Sequence, residues 1–208
     1  RACATWISTQ AVPEPYAPWL NEVEKTAGAE GKEQLAVALK LFDWTIRNIQ
    51  LETLLPPPPA PISVAGDNPL ARVAAIRGIP GPGYTRTPTQ IMLHSQGDSW
   101  QRMRLFLLLA RQAGIPGTVL SIQTGDSIWD TKPWAAGILV EKKIYLFDAE
   151  LGLPLPGAAD GSIATLEEVL ADPNLLRKLD LPGIGTYPVA AADLEKIIAL
   201  VDGTPQSF

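Results

Sequence analysis

The sequence predicts an α+β domain in which a central buried helix packs on a small antiparallel sheet, with additional helices at both ends. The first observation is a segment at 97–116 whose apolar residues cover nearly the whole circumference of a helix. A helix of that kind is buried, with other elements packed on several sides. The second observation is a β-rich run after Pro116, followed by two further apolar runs that a short turn joins. Helical patterns stand before and after this middle part.

The central helix has clear boundaries. A glycine-bounded turn at Gly97 leads into it, it stops at Gly114, and Pro116 prevents it from resuming. Asp98 and Ser99 stand at its N-terminus, where free backbone N–H groups and the positive end of the helix dipole favour an anion or an activated nucleophile. The simpler interpretation is that these two side chains cap the helix.

Two helices are predicted ahead of the central one. A helix from about Lys32 to Leu51 follows from apolar residues that recur at intervals of three and four, namely Leu35, Leu39, Phe42, Ile46 and Ile49. A short helix ending near His94 begins at Thr87, because Thr87 suits the N-cap, Pro88 the first helical position and Gln90 the capping box. A further short helix is predicted near Pro18.

The second half of the chain is predicted to supply the sheet and the last helices. Strands are expected at 118–122, 134–140 and 143–148, and the last two form a hairpin with its turn at Glu141-Lys142. Helices are expected from Thr165 to about Leu179, with a break at Pro173, and from Ala191 to Val201.

These elements suggest a division of the chain into an N-terminal extension (1–31), a core (32–155) and a C-terminal helical segment packed on the same domain (156–208). The core contains a proline-rich strap at 54–86 with the run Pro56–Pro59, which predicts a stiff polyproline-type connector. The strap is either a crossover on the surface or a ligand for a partner domain. The length of 208 residues suits one domain with a core that needs no disulfide.

Composition excludes several functional classes. The net charge of -5 and the absence of a Lys/Arg cluster argue against nucleic-acid binding. No apolar run is long enough for a membrane span, and Cys3 is the single cysteine. One histidine and no acidic cluster at ligand spacing predict neither a metal site nor a cofactor. The chain begins at Arg1, so it is expected to be a mature form or a fragment, and its compartment stays open, with a location outside the cytoplasm preferred.

Three segments together resemble one known family. They are the turn Gly97-Asp98-Ser99 with the helix that closes as Arg111-Gln112-Ala113-Gly114-Ile115-Pro116, the strand Ile144–Asp148, and the helix at 41–49. Over about 35–155 the chain is similar to the transglutaminase-like superfamily, relatives of the papain-like cysteine proteases. The resemblance implies the papain-like form of the α+β fold and a Cys-His-Asp triad, in which a thiolate forms at the helix N-terminus and an imidazole takes its proton.

The family's catalytic residues are mostly replaced in this chain. The cysteine position falls on Ser99, and the histidine position falls on Pro133 or Trp134, neither of which moves a proton. Asp148 alone matches its family role, although it could simply cap the turn that follows it. The only histidine, His94, lies five residues before Ser99 and not on the hairpin. The resemblance therefore implies a degenerate site with no catalytic residues.

Three functions stay open. The first is a catalytically inactive domain that serves as a structural module or binds a protein or peptide partner in a groove formed by His94, Trp100, Trp129 and Trp134. The second is a serine hydrolase or acyltransferase that uses Ser99, with His94 or a partner residue as base. The third is a scaffold that interacts through the proline-rich strap. Packing in the core is the simpler interpretation of Trp129 and Trp134. The oligomeric state stays open.

Overall fold

The computed structural model describes residues 2–52, 86–126, 130–183 and 185–201. The protein is mixed α+β, with a small antiparallel sheet and helices on both sides of it in sequence. The helices are α1 Ala2–Ser8, α2 Ala17–Asn48, α3 Pro88–His94, the central helix α4 Ser99–Gln112, α5 Leu166–Ala171 and α6 Ala191–Leu194, with 3-10 turns at Glu14–Tyr16 and Pro173–Leu179. The strands are β1 Gln50–Leu51, β2 Gln96–Gly97, β3 Gly117–Gln123, β4 Thr131–Val140, β5 Lys143–Asp148, β6 Leu153–Pro154 and β7 Ile197–Leu200.

Five strands form the sheet in the order β6-β5-β4-β3-β7, and every neighbouring pair is antiparallel. The predicted strands after Pro116 and the predicted hairpin are confirmed, with Glu141 in the left-handed region (φ 55°) at the hairpin turn. The short strands β1 and β2 pair in parallel just before the central helix. Because β1 follows α2 and β2 precedes the central helix, this pairing places the N-terminus of the central helix near the C-terminal end of α2.

The central helix is buried, as its apolar circumference predicts. It packs on α2 and on one face of the sheet, where Phe106 meets Phe42 and Phe147 with ring centroids 5.1 and 5.3 Å apart. Phe106 and Phe147 are fully buried. Rings in edge or tilted contact at these separations contribute beyond the area they bury, so this aromatic cluster anchors the helix on the sheet.

The opposite face of the sheet carries a second core. Alternate residues of the strands point to opposite faces, and on this second face Leu120, Ala135 and Leu146 meet Val169 of α5 and Leu176 of the 3-10 turn. Both faces of the sheet are therefore covered, one by the N-terminal helices and the other by the C-terminal segment.

The capping box predicted at Thr87 is confirmed. Thr87 accepts from the Gln90 backbone N–H and completes a capping box with it. Thr165 and Glu168 form a second capping box at the start of α5. The helix predicted from Thr165 to Leu179 is broken at Pro173, as expected, since a 3-10 turn replaces the α-helix there.

Two predicted helix ends are wrong. Helix α2 runs from Ala17 to Asn48 but is interrupted by non-helical backbone at Gly28 (φ 71°, ψ −179°), so it contains both the short helix predicted near Pro18 and the helix predicted from about Lys32. It ends at Asn48 rather than near Leu51, because Gln50 and Leu51 pair with β2. The predicted helix from Ala191 to Val201 ends after four residues, and Ile197–Leu200 form strand β7 instead.

The physical reason for the second error is the open edge of β3. Ile197 and Ile198 suit both a helix stripe and a strand, and pairing with Ile122 and Ser121 satisfies backbone groups that β3 would otherwise expose. The C-terminal segment is thus partly strand rather than helical. The proline-rich strap at 54–86 lies outside the described residues except for Arg86, whose guanidinium pairs with the Glu52 carboxylate across that segment.

Candidate functional site

The N-terminus of the central helix is capped by Asp98. One oxygen of the Asp98 carboxylate accepts from the Gln101 backbone N–H at 2.7 Å, and Ser99 is the first helical residue. Ser99 is half-buried, and within the described part of the chain its hydroxyl has no hydrogen-bond partner. The capping interpretation therefore applies to Asp98, while Ser99 contributes no cap.

His94 is not joined to Ser99. It is the last residue of α3 and is exposed, and Ser95 in the left-handed region (φ 52°) turns the chain away from the helix direction. A general base must lie within hydrogen-bond reach of the proton that it takes. Among the described residues, no hydrogen bond links the imidazole to the serine.

The position that the resemblance assigns to an imidazole holds a different group. Trp134 is 6% exposed, and its indole N–H donates to the Tyr187 hydroxyl at 2.8 Å. The Tyr187 hydroxyl in turn donates to Oδ2 of Asp148 at 2.6 Å. An indole, a phenol and a carboxylate thus form one buried hydrogen-bond chain, called here the indole–phenol–carboxylate chain.

The second oxygen of Asp148 is also occupied. Oδ1 accepts from the backbone N–H groups of Glu150 and Leu151 at 2.8 and 3.0 Å. The carboxylate, on a residue that is 4% exposed, therefore accepts three hydrogen bonds. This arrangement holds the turn after β5, in agreement with the turn-capping interpretation of Asp148.

The electrostatics of the chain oppose proton transfer. Burial, together with the nearby Asp148 carboxylate, raises the pKa of Tyr187 far above its ordinary value, so the phenol stays neutral. An indole N–H donates and cannot accept. Neither the indole of Trp134 nor the neutral phenol of Tyr187 can therefore take a proton as an imidazole would.

An irregularity in β4 places Trp134 in this chain. Ala135 and Pro133 pair with the consecutive β3 residues Leu120 and Ser121, so Trp134 is the extra residue of a β-bulge. Bulges re-aim a side chain relative to the regular alternation. As a result, Trp134 joins Ala135 in the second core, on the face opposite the central helix.

A cavity of about 110 Å³ adjoins the chain. Pro133, Trp134, Tyr187, Pro188 and Val189 contribute apolar and aromatic surface. The remaining lining residues are Ile122, Thr124, Lys132, Asp148, Glu150 and Asp193.

The predicted groove is only partly assembled. Ser99, Trp100 and His94 are not among the residues that line this cavity. Trp100 packs instead against the first core, with the Arg104 guanidinium 5.8 Å from its ring centroid. Trp129, the fourth predicted groove residue, lies outside the described residues. Of the three that the structure describes, Trp134 alone lines this cavity.

Arg102 is a buried residue whose role the sequence did not reveal. Its guanidinium donates to the carbonyl oxygens of Ile46 and Ile49, at the C-terminal end of α2, and of Ala149, after β5, at 2.9, 2.9 and 3.1 Å. Burial lowers the pKa of Arg102. A long side chain in an apolar helix carries no local signal of such contacts. Only the packed structure shows that Arg102 links the central helix to the end of α2 and to the turn after β5.

No group of three or more His, Cys, Asp or Glu side chains in residues 2–52, 86–126, 130–183 and 185–201 is placed to hold a metal ion. Among the described helices, none combines the length and apolarity that crossing a membrane requires. No protein-family model matches this chain, and neither a curated protein nor a solved structure is similar to it at the level of significance that we required.

Proposed function

We propose that this chain is a non-catalytic domain with a transglutaminase-like fold, whose function is to bind a protein or peptide segment. The observation that carries the proposal is the indole–phenol–carboxylate chain. Trp134 and Asp148 stand where the resemblance implies an imidazole and its carboxylate, and Tyr187 links them, so an indole and a phenol take the place of the basic imidazole. A triad needs a base that can accept a proton.

The cavity beside Trp134 supports binding as the function. Its volume of about 110 Å³ is below the ~300–1,000 Å³ typical of small-molecule sites. It therefore suits one peptide side chain better than an entire small ligand. Pro133 and Val189 offer apolar contact, while Lys132, Glu150 and Asp193 offer charged partners to a peptide backbone or to neighbouring side chains.

The catalytic alternative is tested with a fluorophosphonate probe, which labels activated serines. We expect the wild-type protein to be labelled no more than a Ser99→Ala variant, because no described base contacts the Ser99 hydroxyl. Labelling that maps to Ser99 and disappears in Ser99→Ala would overturn the non-catalytic assignment.

The binding site is tested by selecting peptides from a displayed library against the wild-type protein. A Pro188→Trp variant places a large ring at the cavity, since Pro188 is exposed and lines it. Pro182→Trp is the matched control, because Pro182 is equally an exposed proline of this segment but does not line the cavity. We expect selected peptides to lose affinity for the first variant only. Failure to enrich any peptide, or equal binding to both variants, would contradict the assignment of the cavity.

No described residue favours interaction through the proline-rich strap over binding at this cavity. That function stays a prediction of the sequence, because 53–85 lie outside the described residues.

A further inference from the structure

A second cavity, of about 470 Å³, opens where the start of α2, the start of β5 and the segment 158–168 meet. It shares no lining residue with the cavity beside Trp134. Trp19 and Tyr145 form its aromatic wall, with ring centroids 5.9 Å apart and ring planes inclined by 68°. The two rings meet edge to face and both residues line the cavity, so aromatic surface borders this space, as in sites that bind organic cations.

Tyr145 contributes a polar group as well as a ring. The residue is only 5% exposed, yet within the described residues its hydroxyl has no hydrogen-bond partner. This hydroxyl is not one of the buried polar atoms that lack a partner in the described part of the chain, so it is open to the cavity that Tyr145 lines. A ligand in the cavity can therefore reach it.

The charge of the cavity is negative. Among the described residues that line it, Glu22, Asp160 and Glu168 are acidic, and the exposed Lys143 is the one cation. Glu22 is paired with Lys25 on the surface, so it contributes little to the field in the cavity.

Glu168 is the carboxylate best placed to act on a ligand. One oxygen, Oε2, accepts from the Thr165 backbone N–H at 2.9 Å as part of the capping box. The other oxygen has no hydrogen-bond partner among the described residues. The Glu168 charge also reaches Tyr145, whose pKa it raises in addition to the larger effect of burial. A ring and a carboxylate that face one space favour a positive charge between them.

We propose that the cavity between Trp19, Tyr145 and Glu168 binds a small organic cation that carries a trimethylammonium group. Such a group is weakly hydrated, makes contact with aromatic faces and needs no directed hydrogen bond, which matches two rings and one free carboxylate oxygen. A neutral ligand of the same shape gains the apolar contact but not the attraction to the rings and to Glu168.

The test is isothermal titration calorimetry of the full chain at low ionic strength. Choline is compared with 3,3-dimethylbutan-1-ol, its neutral isostere, and with a peptide that contains trimethyl-lysine, which separates free from protein-borne sources of the group. We expect choline or the peptide to bind in the millimolar range or tighter, and the isostere to bind at least about tenfold more weakly than choline. Equal binding of choline and the isostere, or no binding of either cation, would overturn the proposal.

Glu168→Gln is the decisive variant, because glutamine keeps an oxygen for the capping box while the charge is removed. Glu167→Gln is the matched control, since Glu167 is exposed on the same helix turn and does not line the cavity. We expect choline affinity to fall about fivefold or more in the first variant only. Equal affinities of the two variants would exclude Glu168 from the site and refute the proposal, because both are expected to fold.

Discussion

The hydroxyl of Tyr187 is the contact whose removal we expect to be most informative. It accepts from the buried indole N–H of Trp134 and donates to the buried carboxylate of Asp148. Tyr187→Phe keeps the ring and its packing against the second core, so the change removes two hydrogen bonds and little else.

The size of the effect follows from those two bonds. Loss of a hydrogen bond to a charged group costs about 1.5–3 kcal/mol, and a buried donor without a partner costs about 1–3 kcal/mol. The costs are reduced here, because Asp148 keeps two backbone hydrogen bonds and the adjoining cavity admits water. We therefore expect the free energy of unfolding to fall by about 2–3 kcal/mol.

Urea denaturation followed by far-UV circular dichroism at neutral pH measures this difference. Tyr145→Phe is the matched control, because Tyr145 is 5% exposed, like Tyr187, but its hydroxyl has no partner among the described residues. We expect the control to lose less than about 0.5 kcal/mol. If the two variants are equally stable, the indole–phenol–carboxylate chain does not stabilise the fold and the argument drawn from it fails.

Three further predictions concern pH, a buried cation and a strained turn. The pKa of Tyr187 is raised in the folded state, so above pH ~10 only the unfolded state loses this proton. The contribution of Tyr187 to stability is therefore full below that pH and declines above it. Urea midpoints measured across this range should decline less in Tyr187→Phe than in the wild type, and identical slopes would contradict the direction of the pKa shift. Arg102→Met leaves three carbonyl oxygens without their donor and should lower the free energy of unfolding, measured in urea, by about 3 kcal/mol or more. Arg111→Met, at an exposed position of the same helix, should lower it by less than about 0.5 kcal/mol. Similar losses in the two variants would refute the role of Arg102. Gly28→Ala places a side chain in a backbone region that is nearly restricted to glycine (φ 71°, ψ −179°) and should cost about 1–3 kcal/mol, and an unchanged thermal midpoint would show that the kink relaxes freely.

Much of the secondary structure could be predicted because its signals are local. The capping box at Thr87, the break at Pro173 and the hairpin turn at Glu141 each depend on contacts within a few residues of the chain. The burial of the central helix follows from its apolar circumference in the same way.

The C-terminal strand and the kinked start of α2 could not be predicted in this way. Ile197 and Ile198 fit a helix or a strand equally well, and the free edge of β3 decided between them. A helix near Pro18 and one from about Lys32 are both predicted, but the sequence pattern does not show that they meet at Gly28 as one kinked segment.

The candidate site was even less accessible to sequence reasoning. The turn-capping role of Asp148 was among the interpretations that the sequence offered, because Glu150 and Leu151 are its chain neighbours. Tyr187 had no signal, since it lies 39 residues from Asp148 along the chain. The bulge that re-aims Trp134 depends on the register between β3 and β4, which the pattern of side chains does not specify to one residue.

The sequence by itself determined the α+β class, the buried central helix and the absence of a histidine at the hairpin, because composition and periodicity act over short distances. Only the tertiary structure decided what stands in place of that histidine. It brings the indole of Trp134, the phenol of Tyr187 and the carboxylate of Asp148 together from three separate segments. Buried polar groups are hydrogen-bonded in folded proteins. Here the partners are far apart in sequence, so the order of residues alone does not identify them.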